Sequence, residues 1–234
     1  MLRTVRLIAA VVCFVLITLL FLDFTGTLHP WLGWLAKVQL LPAILAMNVG
    51  VVLFLVLLTL LAGRIYCSVI CPLGVFQDVV SWIAGKRKKR RFSYSPAMNR
   101  LRYGVLILFI VALVAGVGSL VALLDPYSAF GRIASNLLNP VYLWINNLLA
   151  DAAERMESYA FYHTNIWIRS LSVLITAAVT LVVVSVLAWR NGRTYCNTVC
   201  PVGTFLGFLS KYSYLKPIIN TDKCNSCGLC SRNC

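Results

Sequence analysis

Nine cysteines stand in this 234-residue sequence, and eight of them fall into three groups whose spacing can do chemistry. Two groups are pairs of the form C-x3-C-P: Cys67 with Cys71, and Cys196 with Cys200. The third is a run of four, Cys224, Cys227, Cys230 and Cys234, spaced C-x2-C-x2-C-x3-C. Thiolates set this close let a chain wrap a [4Fe–4S] cube, and Gly228 permits tight backbone approach. Zinc is the plainer alternative, but zinc ligands usually arrive as two separated C-x2-C arms. Cofactor binding is therefore expected at Cys224, Cys227, Cys230 and Cys234. The ninth cysteine, Cys13, lies alone in an apolar run and reads as a small packing residue.

The two pairs belong to an internal repeat. Residues 63–76 (GRIYCSVICPLGVF) align with residues 192–205 (GRTYCNTVCPVGTF), and eight of the fourteen positions are identical. Pro72 and Pro201 suit the first position of a new helix and disfavour helical geometry at the cysteine before them. Each second cysteine is thus expected to cap a helix N-terminus, where free N–H groups and the positive dipole end favour a thiolate or an anionic cluster. Gly74 and Gly203 leave room beside the thiols, and Arg64 and Arg193 add positive charge. Two pairs make four thiolates, the number a [4Fe–4S] cluster or a tetrahedral metal needs. Cys67, Cys71, Cys196 and Cys200 are read as one metal-binding unit between the repeats. Two separate dithiol or copper-type sites, and a structural role, are the alternatives.

Elements of one kind must position these groups. Hydrophobic residues make up 60% of the chain and charged ones only 12%, about half the charged fraction of a soluble domain. Residues 7–22, 38–63, 103–124 and 170–189 carry no charge and are rich in Leu, Val and Ile. The expected fold is an all-α polytopic membrane protein of about four transmembrane helices, internally duplicated, ending in a fragment of a bacterial ferredoxin-like module. The first membrane half is residues 1–100, the second is 101–216 with an external segment at 125–168, and the ferredoxin module starts at 217–234. That module reads as the opening of a longer one, since a two-cluster ferredoxin draws its remaining ligands from a second copy of the motif. Short helices at the outer surface are expected within 125–168. The first run passes Asp23 without a small-residue cleavage site and reads as an uncleaved anchor. A secreted disulfide scaffold, a disordered chain and an ordinary soluble enzyme are excluded.

Net charge is +14, and its placement decides what it means. With the N-terminus cytoplasmic and four spans alternating, 17 Lys and Arg fall inside against four outside (Lys37, Arg132, Arg155 and Arg169). That asymmetry puts both termini in the cytoplasm, with the chain multi-pass in the membrane. The run Lys86–Arg91 then anchors topology against anionic lipid, so membrane lipid is an expected partner and nucleic acid is not. The reducing cytoplasm also favours metal or redox work over disulfides for the eight grouped cysteines.

Spans, two C-x3-C-P turns and the cysteine-rich tail together resemble the NapH/NosR group of membrane iron–sulfur proteins over nearly the whole chain. The resemblance implies [4Fe–4S] clusters, electron transfer between a quinol pool and a respiratory reductase, and other redox subunits as partners. A quinone cofactor and quinol dehydrogenase-type activity follow from the resemblance alone. Only six residues precede the first apolar run, so the flavin domain of NosR-type members is not expected. A related FixG-like group is tied to copper handling, and a factor that binds or reduces copper at the C-x3-C pairs is the competing reading. His29 and His163 read as surface residues, and Asp23 and Asp125 as caps or turns. Trp31, Trp34, Trp144 and Trp167 read as an aromatic belt. No Ser-His-Asp set, phosphate loop or paired-carboxylate site is present, so no catalytic residue is assigned.

Overall fold

A computed structural model describes residues 2–23, 25–87, 98–155, 162–165 and 170–215. Every regular element among these residues is helical. The first apolar run forms α1 (Leu2–Leu22), followed by α2 (His29–Lys37), α3 (Leu40–Leu45) and α4 (Val49–Ala62). A π-helical turn at Tyr66–Ile70 leads into α5 (Pro72–Arg87). The second half holds α6 (Asn99–Val114), α7 (Gly118–Leu124), α8 (Pro126–Ile133), a π-helical turn at Ala134–Leu138, and α9 (Asn139–Glu154). It ends with α10 (Leu171–Asn191), α11 (Thr194–Thr198), α12 (Pro201–Leu209) and a 3-10 turn at Ser210–Tyr212. The tail 217–234 and residues 88–91 of the basic run lie outside the described residues.

Two of the described helices are long and apolar enough to cross a membrane, Thr4–Leu22 and Leu171–Arg190, where about four were expected. The runs 40–62 and 101–124 are each broken. At Met47 the backbone turns left-handed (φ 51°), the Asn48 N–H reaches back to the Ala43 carbonyl at 2.9 Å, and the Asn48 side chain caps α4 at Val51. At Gly116 (φ 73°) the same pattern recurs, with the Val117 N–H on the Ala112 carbonyl at 2.9 Å. This is the helix-ending bond of a Schellman motif, used twice. One straight helix over 40–62 would be about 33 Å long. Instead the Leu40 N–H donates to the Tyr66 hydroxyl at 3.1 Å, so the start of the run and the residues just past its end lie together. Beside the second break, Ala112 of α6 packs in one small core with Val121 of α7 and Leu41 of α3.

The main core takes residues from both halves: Ile17 of α1, Leu55 of α4, Leu73 of α5, Phe130 of α8, Val184 of α10 and Leu206 of α12. Short helices do occupy this segment, and α8 among them packs into the core. Phe130 stacks edge-on against Phe14 at 5.3 Å, and the Phe21 ring rests where a side chain at Gly131 would be. Outward faces are apolar as well: Leu7, Val11, Leu57, Val114, Val179 and Val182 are exposed. Apolar faces repeated on four helices fit a lipid surround and would be an aggregation hazard in water.

Candidate metal centre

The conserved-looking form of each motif has a local cause in the repeat. Gly63 and Gly192, the first residues of the two copies, have φ of 70° and 73° and end α4 and α10. A left-handed residue lets the chain leave the helix and turn back toward the core. The tyrosine follows, and its carbonyl receives the amide of the second cysteine: Cys71 to Tyr66 at 2.9 Å, Cys200 to Tyr195 at 3.0 Å. Each second cysteine is extended (ψ 114° and 117°), and the proline after it opens α5 or α12. The Cys200 sulfur caps its helix directly, accepting the Gly203 N–H at 3.3 Å.

Gly74 and Gly203 do more than leave room. A Cβ on Gly74 would overlap the Cys67 carbonyl oxygen, and a Cβ on Gly203 would overlap that of Cys196. The first turn of each new helix thus rests on the first cysteine of its own pair.

All four paired thiols are buried in one cluster with the main core. Every pair among Cys67, Cys71, Cys196 and Cys200 is within electrostatic reach. Burial pushes the Cys67 thiol up to about 12, Cys196 adds to the rise, and Arg193 and Arg64 oppose it. Burial likewise raises Cys71 and Cys200 well above their ordinary value. Burial raises Cys196 too, opposed by Gln77 Nε2, which donates to its sulfur at 3.0 Å. The four groups therefore keep their protons at neutral pH, and binding a metal there must release them.

The sign of the consequence follows from linkage. In the unfolded chain a thiol titrates near 9.0, while folded Cys67 holds its proton to about 12. Between those values the native state binds more protons, so stability is complete below the lower value and falls as pH rises through the window. Urea unfolding of iron-free protein at about pH 8 and about pH 10.5 should give the lower midpoint at the higher pH. Equal midpoints would contradict the burial.

Cross-links between the repeats hold the set together. Arg193 of the second copy grips Asp78 through both carboxylate oxygens, its Nε at 2.6 Å from Oδ1. Arg64 of the first copy donates to Asn197 Oδ1 at 2.7 Å and to Ser210 Oγ at 3.4 Å. The Tyr66 hydroxyl donates to Gln39 Oε1 at 2.9 Å, and Gln39 Nε2 donates to the Ile70 carbonyl at 3.3 Å. Spacing alone did not single out Gln39, Gln77 or Asp78. The signal available was position, since Gln77 and Asp78 directly follow the first copy.

No group of three or more His, Cys, Asp or Glu close enough to hold a metal ion is found among the described residues. A cube carries its thiolates on separate iron corners, so they need not crowd as the ligands of one tetrahedral ion do. Four thiols, amides turned toward sulfur and two arginines make a pocket for a group of net negative charge. When bound, a [4Fe–4S] cluster supplies one-electron transfer.

Of the other sequence-flagged residues, Cys224, Cys227, Cys230 and Cys234 lie outside the described residues. Asp125 is the N-cap of α8, accepting the Ser128 N–H at 2.8 Å, and Asp23 holds a turn through Gly26, Leu28 and His29. His163 sits exposed between Asp151 and Glu154, at 3.3 and 3.4 Å. Trp31, Trp34 and Trp144 are exposed, and Trp167 is outside the described residues.

Comparison with known proteins places this geometry. A 4Fe-4S binding domain family matches the chain twice, at residues 44–91 and 171–220, once over each C-x3-C-P turn. The chain is similar to ferredoxin-type proteins of the NapH and MauN kind. The methylamine utilization ferredoxin-type protein MauN of Paracoccus denitrificans is 25% identical over 187 residues, covering 80% of this chain and 53% of MauN. The ferredoxin-type protein NapH of Escherichia coli is 28% identical over 195 residues, covering 83% of this chain and 55% of NapH. The NapH-like chain therefore spans about half the length of these curated relatives. No solved structure matches it.

Proposed function

We propose that this NapH-like chain is a membrane-bound iron–sulfur electron relay in which Cys67, Cys71, Cys196 and Cys200 hold one [4Fe–4S] cluster. Cys224, Cys227, Cys230 and Cys234 hold another. One observation carries the reading: the duplicated pairs converge as four buried thiols on two glycine floors, with an arginine from each copy beside them. Tyr214 and Leu215 donate their N–H groups to Leu60 and Leu61 at 2.8 and 3.0 Å, which ties the chain beside the end of α4. The nine residues from Leu215 to Cys224 reach at most about 32 Å.

The chain sits in a bacterial cytoplasmic membrane, crossing it through α1 and α10 among other segments, with both termini in the cytoplasm. Arg64, Arg102 and Arg193 gather near the thiol motifs, so the positive-inside preference turns that end toward the cytoplasm. Because the two pairs share one site, the chain crosses an even number of times between them. Redox subunits of a respiratory complex are its partners, and a quinol or a cytosolic donor feeds it. Copper transfer is the weaker reading, since a delivery site must let its ion leave and these thiols are buried in apolar packing.

Anaerobic purification, with iron and sulfide counted per chain, tests the relay. Cys196→Ser should lose about four iron atoms and the matching absorbance and EPR signal, while the tail cluster remains. Loss of copper with unchanged iron would transfer the site to the copper reading, and colourless wild-type protein would end the proposal.

A further inference from the structure

The two halves of the repeat differ at one position that changes the charge balance. Arg193 of the second copy has Asp78 as its partner. By the offset of the repeat, the residue equivalent to Asp78 is Gly207, so Arg64 of the first copy meets a glycine where Arg193 meets a carboxylate. The geometry respects the equivalence. A Cβ at residue 207 would collide with Nη2 of Arg64 and also with Nη2 of Arg102, which arrives from α6.

Two guanidinium groups thus converge on Gly207 and occupy the place where a side chain would be. Their known partners are neutral: Arg64 donates to Asn197 and Ser210, and Arg102 Nη2 donates to the Thr204 carbonyl at 3.3 Å. Arg102 Nε is buried and has no hydrogen-bond partner. The ion pairs found among the described residues are those of Arg193 with Asp78 and of His163, so neither arginine here pairs with a described carboxylate. Arg102 and Arg193 both push the positive form of Arg64 in the unfavourable direction, alongside its burial. Juxtaposed cations with a spare donor are costly unless an anion joins them.

We propose that Arg64 and Arg102, over Gly207, form a binding site for a phosphate group. Guanidinium forks match the spacing of phosphate oxygens, and a phosphate brings the charge that two arginines lack. The site lies where α6 begins and α4 ends, beside the first residues of the repeat, which on the membrane reading above is headgroup level at the basic end. The phosphate of an anionic phospholipid and free inorganic phosphate share this chemistry, and the test separates them. The proposal rests on that membrane reading for its preferred source, not on the cluster.

Purified holoprotein is stripped in detergent and offered phosphatidylglycerol, phosphatidylcholine or inorganic phosphate, with native mass spectrometry reading lipid and calorimetry reading phosphate. Wild type should retain phosphatidylglycerol over phosphatidylcholine by about tenfold, because the choline cation beside the phosphate of the latter is repelled by the two arginines. Gly207→Asp supplies the missing carboxylate internally and should abolish that preference. Arg102→Gln, which inserts nothing, should weaken it about tenfold. Calorimetric binding of inorganic phosphate that Gly207→Asp removes assigns the site to free phosphate instead. Lipid and phosphate binding equal in wild type and Gly207→Asp, or absent from wild type, overturns the proposal. Iron per chain is measured in the same samples: retained iron in Gly207→Asp shows the fold intact, and iron lost from wild type faults the cluster reading alone.

Discussion

Gly74→Ala should destabilise the protein and, on the relay proposed above, strip the paired-thiol site of its cluster. The added carbon would overlap a backbone oxygen, that of Cys67, with its carbonyl carbon at 3.2 Å. Flexible side-chain ends swing away from such a contact, but a peptide group does not. Either the first turn of α5 lifts or Cys67 moves, and both shift a thiol relative to its three partners. Overpacking of this kind costs about 1–3 kcal/mol when side chains absorb it, and backbone opposition puts the change at or beyond the upper end. Gly203→Ala should behave alike, since the repeat recreates the contact with Cys196. Gly104→Ala is the control: nothing lies within 4 Å of its Cβ position inside α6, so it should be neutral or stabilise by about 0.5–1 kcal/mol. Denaturant unfolding in detergent, with iron counted per chain, checks all three. Full iron occupancy in Gly74→Ala would refute the idea that the helix rests on the first cysteine.

The helical class and the grouping of the paired thiols were legible because duplication exposes them. A residue kept twice at a fixed offset reports a backbone or chemical need, and Gly63 with Gly192 and Cys71 with Cys200 are such pairs. Their roles as left-handed helix ends and extended N-cap positions follow from residue chemistry alone. The broken runs were not legible. Met47 is neither Gly nor Pro, and a hydropathy window sees Leu45, Ala46 and Met47 as more of the same helix. Gly116 is a weaker omission, since glycine inside an apolar run is common in membrane helices. The burial of α8 against the core was not legible either. Asn, Arg and Tyr around it look like surface, yet Arg132 turns back onto the Ala122 and Leu123 carbonyls, leaving Phe130 and Ile133 for the core.

The pairing of Arg193 with Asp78 is what the sequence hid best, and removing it has the second large consequence. Asp78 lies outside the eight identical positions and has no partner of its type in the other copy, so nothing in the spacing points to it. In the structure it fixes a guanidinium that stands beside Cys196 and Cys67. Arg193→Gln takes one positive charge from that neighbourhood. At an effective dielectric of about 20 and a separation of about 6–8 Å, a unit charge is worth roughly 2–3 kcal/mol, on the order of 100 mV for one electron. The potential of a cluster bound by these thiols should fall by that order, because the reduced, more negative form loses its nearest cation. Arg193→Lys keeps the charge but not the two-pronged grip on Asp78, so most of the potential should return while thermal stability stays low. Asp78→Ala separates the effects further, since it frees the arginine without removing it. The two partners are each about a third exposed or more, at 32% and 40%, so solvent screening limits the stability cost to about 1–2 kcal/mol. EPR-monitored redox titration of the three variants decides the matter, and a potential unmoved in Arg193→Gln would mean that this arginine serves packing alone.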